Sequence, residues 1–255
     1  MRIRRRYAAI LALALAGAVA VAGIALAAAN GNSSFITGKF QPNLVPKKKF
    51  HKGKITIHSH TDFAAPGNRP AGGFTHRVQI KIDDDIKFNT KGVPKCNPNG
   101  FTSGETMASA MTKCGDAKVG KGTAHTANGF AACVLVFNGK KQNNHRTVIL
   151  FTRVTFGPTA VCSSPRTNTS GNASTTLVGE LKGASGDYGT QLDVNNIDQG
   201  QLPLDDFVAT LKRGRFVKAR CHDSNHKWNF KGKHTYSDGQ VDSNELDSQR
   251  CHVKH

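Results

Sequence analysis

The sequence predicts an all-β fold, specifically an antiparallel β-sandwich with one short α-helix. Apolar and polar residues alternate with a period of two along most of residues 54–253, which indicates half-buried strands. Turns rich in Gly, Asn and Pro separate about ten such segments, as in sandwiches and barrels. A single segment near residues 103–114 has the period of a helix instead. We therefore assign residues 54–253 to one domain, preceded by a signal-peptide or anchor helix.

Residues 1–29 have the organisation of a secretory signal peptide. Four arginines precede an uncharged run from Tyr7 to Ala29, which is rich in Ala and Leu and ends in Ala27-Ala28-Ala29. This 23-residue run is also long enough to cross a bilayer as an uncleaved anchor. Either interpretation predicts export. We expect a secreted protein or, alternatively, one anchored by residues 7–29 and facing outside, with no other contact with the membrane core.

The remainder of the chain is strongly basic. Without the leader it has 31 basic and 17 acidic groups, a net charge of +14. A hydrophobic content of 38% excludes a wholly disordered chain, and the 26 Gly and 9 Pro exclude a collagen-like one. Residues 30–53 are polar and then basic, which predicts a flexible linker. Two interpretations of its lysines remain open: solvation alone, or a salt-dependent contact with anionic cell-wall polymer or lipid headgroups. These lysines are Lys47, Lys48, Lys49, Lys52 and Lys54.

Alternating residues place the predicted strands in order along the domain. The clearest apolar faces are Ile55 with Ile57; Val78, Ile80 and Ile82; Phe207, Ala209 and Leu211; and Trp228, Phe230, His234 and Tyr236. Asp84 falls on an apolar position, which predicts a bulge or a strand break. The segment 131–137 is apolar at every position and predicts a strand covered on both faces, and 147–156 predicts a second strong strand.

One helix is predicted near residues 103–114. Thr102 and Glu105 have capping-box spacing. Met107, Ala110, Met111 and Cys114 then form one apolar stripe, and Gly115 follows as a C-terminal stop.

Six cysteines in an exported chain predict disulfides. Fifteen pairings of Cys96, Cys114, Cys133, Cys162, Cys221 and Cys251 are possible, and sequential pairing is the simplest. A Cys96–Cys114 bridge would tie the helix to the sheet.

We expect neither nucleotide nor nucleic acid as a partner, because the two sequence patterns that resemble such binding sites depart from them. Residues 115–122 approach the phosphate-binding loop, but Gly122 replaces its Ser or Thr, and the segment follows a helix instead of a strand. Trp228 and Phe230 alternate with lysines but share the predicted core face. We assign no cofactor.

Histidines offer a possible metal site. His58 and His60 lie on one face of a strand, a spacing that chelates zinc or copper. A second group lies near the C-terminus: Cys221, His222, His226, Cys251, His252 and His255. We assign no metal and keep His58 and His60 as an alternative.

Paired carboxylates could serve as the catalytic acid and base of a hydrolase. Asp205-Asp206 and Asp83-Asp84-Asp85 are the densest carboxylates. Adjacent residues of a strand point to opposite faces, so neighbours do not form the facing pair that a glycosidase needs. We expect no enzyme.

Several segments resemble a lineage of uncharacterised secreted proteins of high-GC Gram-positive bacteria. The resemblance rests on residues 93–96, 114–122, 134–139, 219–223 and 236–239, followed by Cys251, and covers most of residues 54–253. It implies an exported all-β domain with Cys96–Cys114 and Cys221–Cys251 bridges. Cys133 and Cys162 are outside the shared pattern.

The leading functional hypothesis is a non-catalytic exported or envelope-associated domain that binds anionic wall polymer or glycans. The alternatives are an extracellular hydrolase acting on polysaccharide and an extracellular metal-binding protein. A deep acidic cleft would favour the hydrolase, and clustered imidazoles would favour the metal-binding protein.

Overall fold

The structure is a computed structural model that describes residues 32–63, 73–155, 173–200, 203–212, 214, 216–222, 226–243 and 246–254. The predicted signal peptide, residues 1–29, lies outside the described residues. No helix within the described ranges has the length and apolar character needed to cross a membrane. One compact unit spans residues 32–255.

Strands dominate the described part of the chain. They are β1 (Ser33–Gln41), β2 (Leu44–Pro46), β3 (His51–Lys52), β4 (Lys54–Asp62), β5 (Thr75–Asp83), β6 (Ile86–Phe88), β7 (Lys118–Thr126), β8 (Ala131–Gln142), β9 (His145–Thr155), β10 (Ser174–Gly183), β11 (Tyr188–Val194), β12 (Leu204–Leu211), β13 (Val217–Ala219), β14 (Lys227–Tyr236), β15 (Val241–Ser243), β16 (Asp247–Arg250) and β17 (His252–Lys254). One α-helix, α1 (Met107–Cys114), and three short 3-10 turns (Pro98–Gly100, Gly115–Ala117 and Ile197–Gly200) complete the described elements.

Twelve of these strands form one antiparallel sheet that is nearly closed. Its order is β1-β4-β12-β7-β8-β9-β10-β11-β5-β14-β15, and β16 also pairs with β14. Backbone N–H groups of β1 donate to carboxylates beyond β14: Ser34 to Asp242 at 2.6 Å and Gly38 to Asp247 at 2.9 Å. These bonds bring the first strand of the sheet against the last ones. The all-β class with one short helix is confirmed, and the sandwich arrangement stays a prediction.

The main core lies on the concave side of this sheet, where the alternating apolar residues converge. Trp228, Phe40 and Phe230 are fully buried there, and the Phe40 and Trp228 rings meet edge to face at 5.1 Å. Gly38 is required by this packing, because a Cβ atom at that position would lie 2.3 Å from the Phe230 ring. Strand β5 ends at Asp83 and β6 begins at Ile86, so the predicted break at Asp84 is confirmed.

Residues 33–52 correct the predicted linker of residues 30–53. Strand β1 pairs with β4 along its whole length, and Phe40 and Val45 are fully buried. The inward positions of β1 include Ile36, Gly38 and Phe40. The apolar alternation was therefore present, but Gly38 interrupts it on the inward face and Phe35 adds an apolar residue to the outward face.

The helix begins later than its predicted start. Thr106 is the N-cap and accepts from the Ser109 N–H at 3.0 Å, while Glu105 accepts from the Thr102 N–H at 3.3 Å. The predicted capping-box contact thus closes a turn ahead of the helix.

The apolar stripe of α1 covers the outer face of β8 and β9. Ala110 is fully buried, and Met107, Met111 and Cys114 pack with it against Phe137, Ile149 and Phe151. On the other face of β8, Val134 and Val136 belong to the main core. The prediction that residues 131–137 are covered on both faces is confirmed.

Two of the expected disulfides are confirmed. The Cα atoms are 5.3 Å apart in Cys96–Cys114 and 5.8 Å apart in Cys221–Cys251. Cys96 also pairs with β8 through its N–H, which donates to the Asn138 carbonyl at 2.8 Å, so the first bridge ties α1 to the sheet. Cys162 lies outside the described residues, and its pairing with Cys133 stays a prediction. Two structural disulfides indicate an oxidising compartment.

His234 is a fully buried imidazole on β14. Its Nε2 atom lies 2.9 Å from the Ser59 hydroxyl. Burial lowers the pKa of His234 from 6.5 to about 4, because the charged form loses its hydration, although Asp242 acts in the opposite direction. The imidazole is therefore neutral in the folded protein at pH 5, whereas in the unfolded chain it is protonated.

This difference predicts that the contribution of His234 to the stability of the protein falls as the pH decreases from about 6.5 towards 4. Between pH 7 and pH 5 the loss due to His234 is about 2 kcal/mol, since the unfolded chain takes up a proton that the folded chain does not. Urea unfolding at the two pH values measures it. His234→Gln, which keeps a polar partner for Ser59 and does not titrate, should lose about 2 kcal/mol less over the same interval; an identical loss in both proteins would contradict the assignment.

Candidate metal centre

The outer face of three neighbouring strands, β4, β12 and β7, gathers histidines around one aspartate. The backbone register pairs His60 of β4 with Asp206 of β12, and Asp206 with His125 of β7. His58 lies two residues before His60 and therefore projects from the same face. We call His58, His60, His125 and Asp206 the histidine–aspartate cluster.

The two faces of these strands are distinguished by their contacts. On the inner side, Ile57 and Phe207 contribute to the apolar core. On the outer side, the hydroxyls of Thr56 and Thr210 lie 2.8 Å apart in the row next to His58. Alternation along β4 then places His58 and His60 outward with Thr56.

Asp206 is the centre of the cluster. One carboxylate oxygen, Oδ1, accepts a hydrogen bond from His58 Nε2 and lies 3.3 Å from His60 Nδ1. The other oxygen, Oδ2, lies 3.7 Å from His125 Nδ1. On the far side of its ring, His60 Nε2 lies 3.0 Å from Asp62. The ligand atoms of His58, His60 and Asp206 all lie within 4.8 Å of one another.

These contacts shift two pKa values in opposite directions. Burial alone would raise the pKa of Asp206, but the hydrogen bonds and charges of His58 and His60 outweigh it and hold that pKa below its usual value. Burial alone would lower the pKa of His60, but its bonds to Asp62 and Asp206 raise it above 6.5. The cluster therefore combines an ionised carboxylate with an imidazole that favours its protonated form.

Phe35 of β1 covers one side of the imidazoles. Its ring centroid lies 5.4 Å from that of His58, edge to face, and 5.0 Å from that of His60. The His58 and Asp206 side chains retain 33% and 25% of their accessible surface. The rings are thus held by packing on one side and open to solvent on the other, so an ion can reach them.

Two imidazoles and a carboxylate whose ligand atoms lie close together, with the His125 imidazole beside the same carboxylate, are a donor set for a divalent transition metal. Neutral imidazole suits zinc, copper and nickel, and zinc accepts a carboxylate oxygen as a fourth ligand. A hard cation such as calcium requires six or more oxygen ligands, which this set does not resemble.

The other predicted metal ligands are arranged differently. Cys221, His226 and Cys251 lie close together, with His226 Nδ1 3.5 Å from Cys221 Sγ. Both sulfurs are in the Cys221–Cys251 disulfide, so neither is a thiolate. His255 lies outside the described residues.

Of the carboxylates considered for hydrolysis, Asp83 and Asp85 have structural partners. Asp83 accepts from the N–H groups of Asp85 and Asn229, and Asp85 accepts from Arg220 and from the His222 N–H. Asp83 and Asp85 are almost completely buried. Asp206 belongs to the histidine–aspartate cluster, and burial raises the pKa of its neighbour Asp205.

The predicted lysine contacts lie on the folded domain. Lys47, Lys48 and Lys49 form an exposed bend between β2 and β3, Lys52 lies on β3, and Lys54 begins β4.

The segment 115–122, which approaches the phosphate-binding loop, has a packing explanation for its glycine. Gly122 lies inside β7, where a Cβ atom would be 2.0 Å from the Val208 carbonyl oxygen.

Sequence reasoning found His58 and His60 but missed Asp206 as their partner and His125 altogether. The only available signal was the parity of Asp206, which precedes the predicted inward residues Phe207, Ala209 and Leu211 and therefore falls on the outward face. Which strands are neighbours could not be derived, because His58 and Asp206 are 148 residues apart in the chain.

Comparison with known proteins provides no relative: no family model, curated protein or solved structure matches the chain. The resemblance to secreted proteins of high-GC Gram-positive bacteria stays a prediction. Function must therefore be inferred from the geometry of the site.

Proposed function

We propose that this protein is an exported, non-catalytic domain that binds a divalent transition-metal ion, with Zn²⁺ as its reference ligand. The observation that carries the proposal is the row His60–Asp206–His125 across three adjacent strands, joined by His58. The row is a property of the backbone register, so it does not depend on the rotamer of one side chain.

The expected export of the protein agrees with this proposal. The basic, apolar and small-residue regions of residues 1–29 are those of a signal peptide. The two disulfides agree with an oxidising destination. Outside the cell an ion is free to reach a solvent-open site on the surface of the sheet.

The proposed ligands are the ring nitrogens that face Asp206, together with Asp206 itself. They are His58 Nε2, His60 Nδ1 and His125 Nδ1. Asp62 remains on the opposite nitrogen of His60 and fixes the tautomer and orientation of that ring, as outer-shell carboxylates do at zinc sites. A bound ion would take the place of the protons that the imidazoles share with Asp206.

Isothermal titration with Zn²⁺ tests this assignment. Wild type should bind one equivalent of Zn²⁺. His60→Ala should bind Zn²⁺ at least 10-fold more weakly, because it removes the imidazole that lies directly opposite Asp206. Asp206→Asn should also weaken binding, because it removes the carboxylate that all three imidazoles face.

His76→Ala is the matched control. His76 is another histidine on a strand with an aspartate partner, Asp198, 2.9 Å from its Nδ1 atom. Removing it should leave Zn²⁺ affinity unchanged. Equal affinity in wild type and His60→Ala, or an equal loss in His76→Ala, would exclude the cluster as the binding site.

Acid should weaken binding, because the metal requires neutral imidazoles and competes with their protons. The same titration repeated at pH 8 and pH 6 should show lower affinity at pH 6, with protons released on binding. Affinity that is independent of pH would contradict coordination by the histidines.

A further inference from the structure

A second surface of the molecule concentrates positive charge by its strand register. Strands β3, β13 and β6 form a small antiparallel sheet in which Lys52 is opposite Lys218, and Lys218 is opposite Lys87. We call these three residues the lysine row. Like charges directly opposite one another on a sheet are destabilising, so the lysine row lowers the stability of the folded protein.

The other face of this sheet explains why the row points outward. Val217, Ala219, Ile86 and Phe88 are buried in the main core. Alternation then directs Lys218 and Lys87 away from the core. Lys52 and Lys87 are exposed, and within the described ranges no ion pair links a lysine of the row to a carboxylate.

Neighbouring cations extend the row in one direction. The exposed bend of Lys47, Lys48 and Lys49 leads directly into β3, and Lys254 pairs with Pro46 at the start of that bend. Phe50, which follows the bend directly, contacts the cations of the small sheet. Its ring lies 4.5 Å from Lys87 Nζ and 5.0 Å from the Arg220 guanidinium carbon. Arg220 is in turn anchored by Asp85 at 2.6 Å.

We propose that the lysine row binds an extended phosphodiester polymer of the cell envelope. Adjacent strands are about 4.8 Å apart, so the Cα atoms of the three lysines form a line roughly 10 Å long. A line of cations with a basic bend at its end matches a chain of regularly spaced anions better than it matches one compact phosphate ion. The strands of this site, β3, β13 and β6, are different from β4, β12 and β7, which carry the histidine–aspartate cluster.

Binding to poly(glycerol phosphate) in the presence of EDTA tests the proposal independently of any metal. Wild type should bind at 0.05 M salt and lose most of its affinity by 0.5 M, because screening shortens the range of Coulomb attraction to a few ångströms. The triple variant K52Q/K87Q/K218Q should bind at least 10-fold more weakly. It should also melt no lower than wild type, since it removes mutual repulsion.

The matched control is K39Q/K231Q/K233Q, which removes the same charge from exposed lysines of β1 and β14. Its affinity for poly(glycerol phosphate) should fall less than threefold. An equal loss in both triple variants would overturn the lysine row as a site, because diffuse charge would explain the binding. Absence of binding by wild type at low salt would overturn it as well.

Vesicles distinguish the source of the phosphate. Wild type should bind the polymer more tightly than vesicles of phosphatidylcholine with 30% phosphatidylglycerol at equal phosphate concentration. Stronger binding to the vesicles, lost in K52Q/K87Q/K218Q, would replace the polymer by a lipid surface and overturn the proposal as stated.

Discussion

The pairing register between β4 and β12 is the constraint on which the rest of the structure depends. It places Ile57 opposite Ala209 on the core side of the sheet and His60 opposite Asp206 on the outer side. A shift of one residue would exchange the two faces of a strand, because side chains alternate with a period of two. The free energy of burying the core therefore fixes the geometry of the histidine–aspartate cluster, and no separate device is needed to assemble it.

Closure and crosslinking protect this register. Strand β1 covers the free edge of β4 and in turn reaches the far end of the sheet through Asp242 and Asp247. The Cys96–Cys114 bridge fastens α1 over the outer face of β8 and β9, and Cys221–Cys251 joins the end of β13 to the start of β17. The two proposed binding surfaces thus stand on strands whose positions are set by burial, pairing and disulfides.

Local patterns in the sequence were sufficient for the elements and insufficient for their assembly. The alternation along 78–82, the doubly apolar segment 131–137 and the stripe from Met107 to Cys114 each reflect burial of a single element, so they could be predicted. Strand β1 was missed because Gly38 occupies an inward position that the Phe230 ring fills. Asp206 and His125 were missed as partners of His60, and Lys218 as a partner of Lys52, because each contact joins strands far apart in the chain. Non-local pairing leaves no local pattern.

The central claim is that the pairing of β12 with β4 on one side and with β7 on the other brings three histidines around a single aspartate. The most direct measurement is a long-range ¹H–¹⁵N spectrum of the imidazole rings during titration with Zn²⁺. The account predicts that His58, His60 and His125 shift together and reach their end point at one equivalent, while His76 and His234 do not move. Shifts confined to the C-terminal histidines, or shifts of His58 and His60 that leave His125 unchanged, would contradict it.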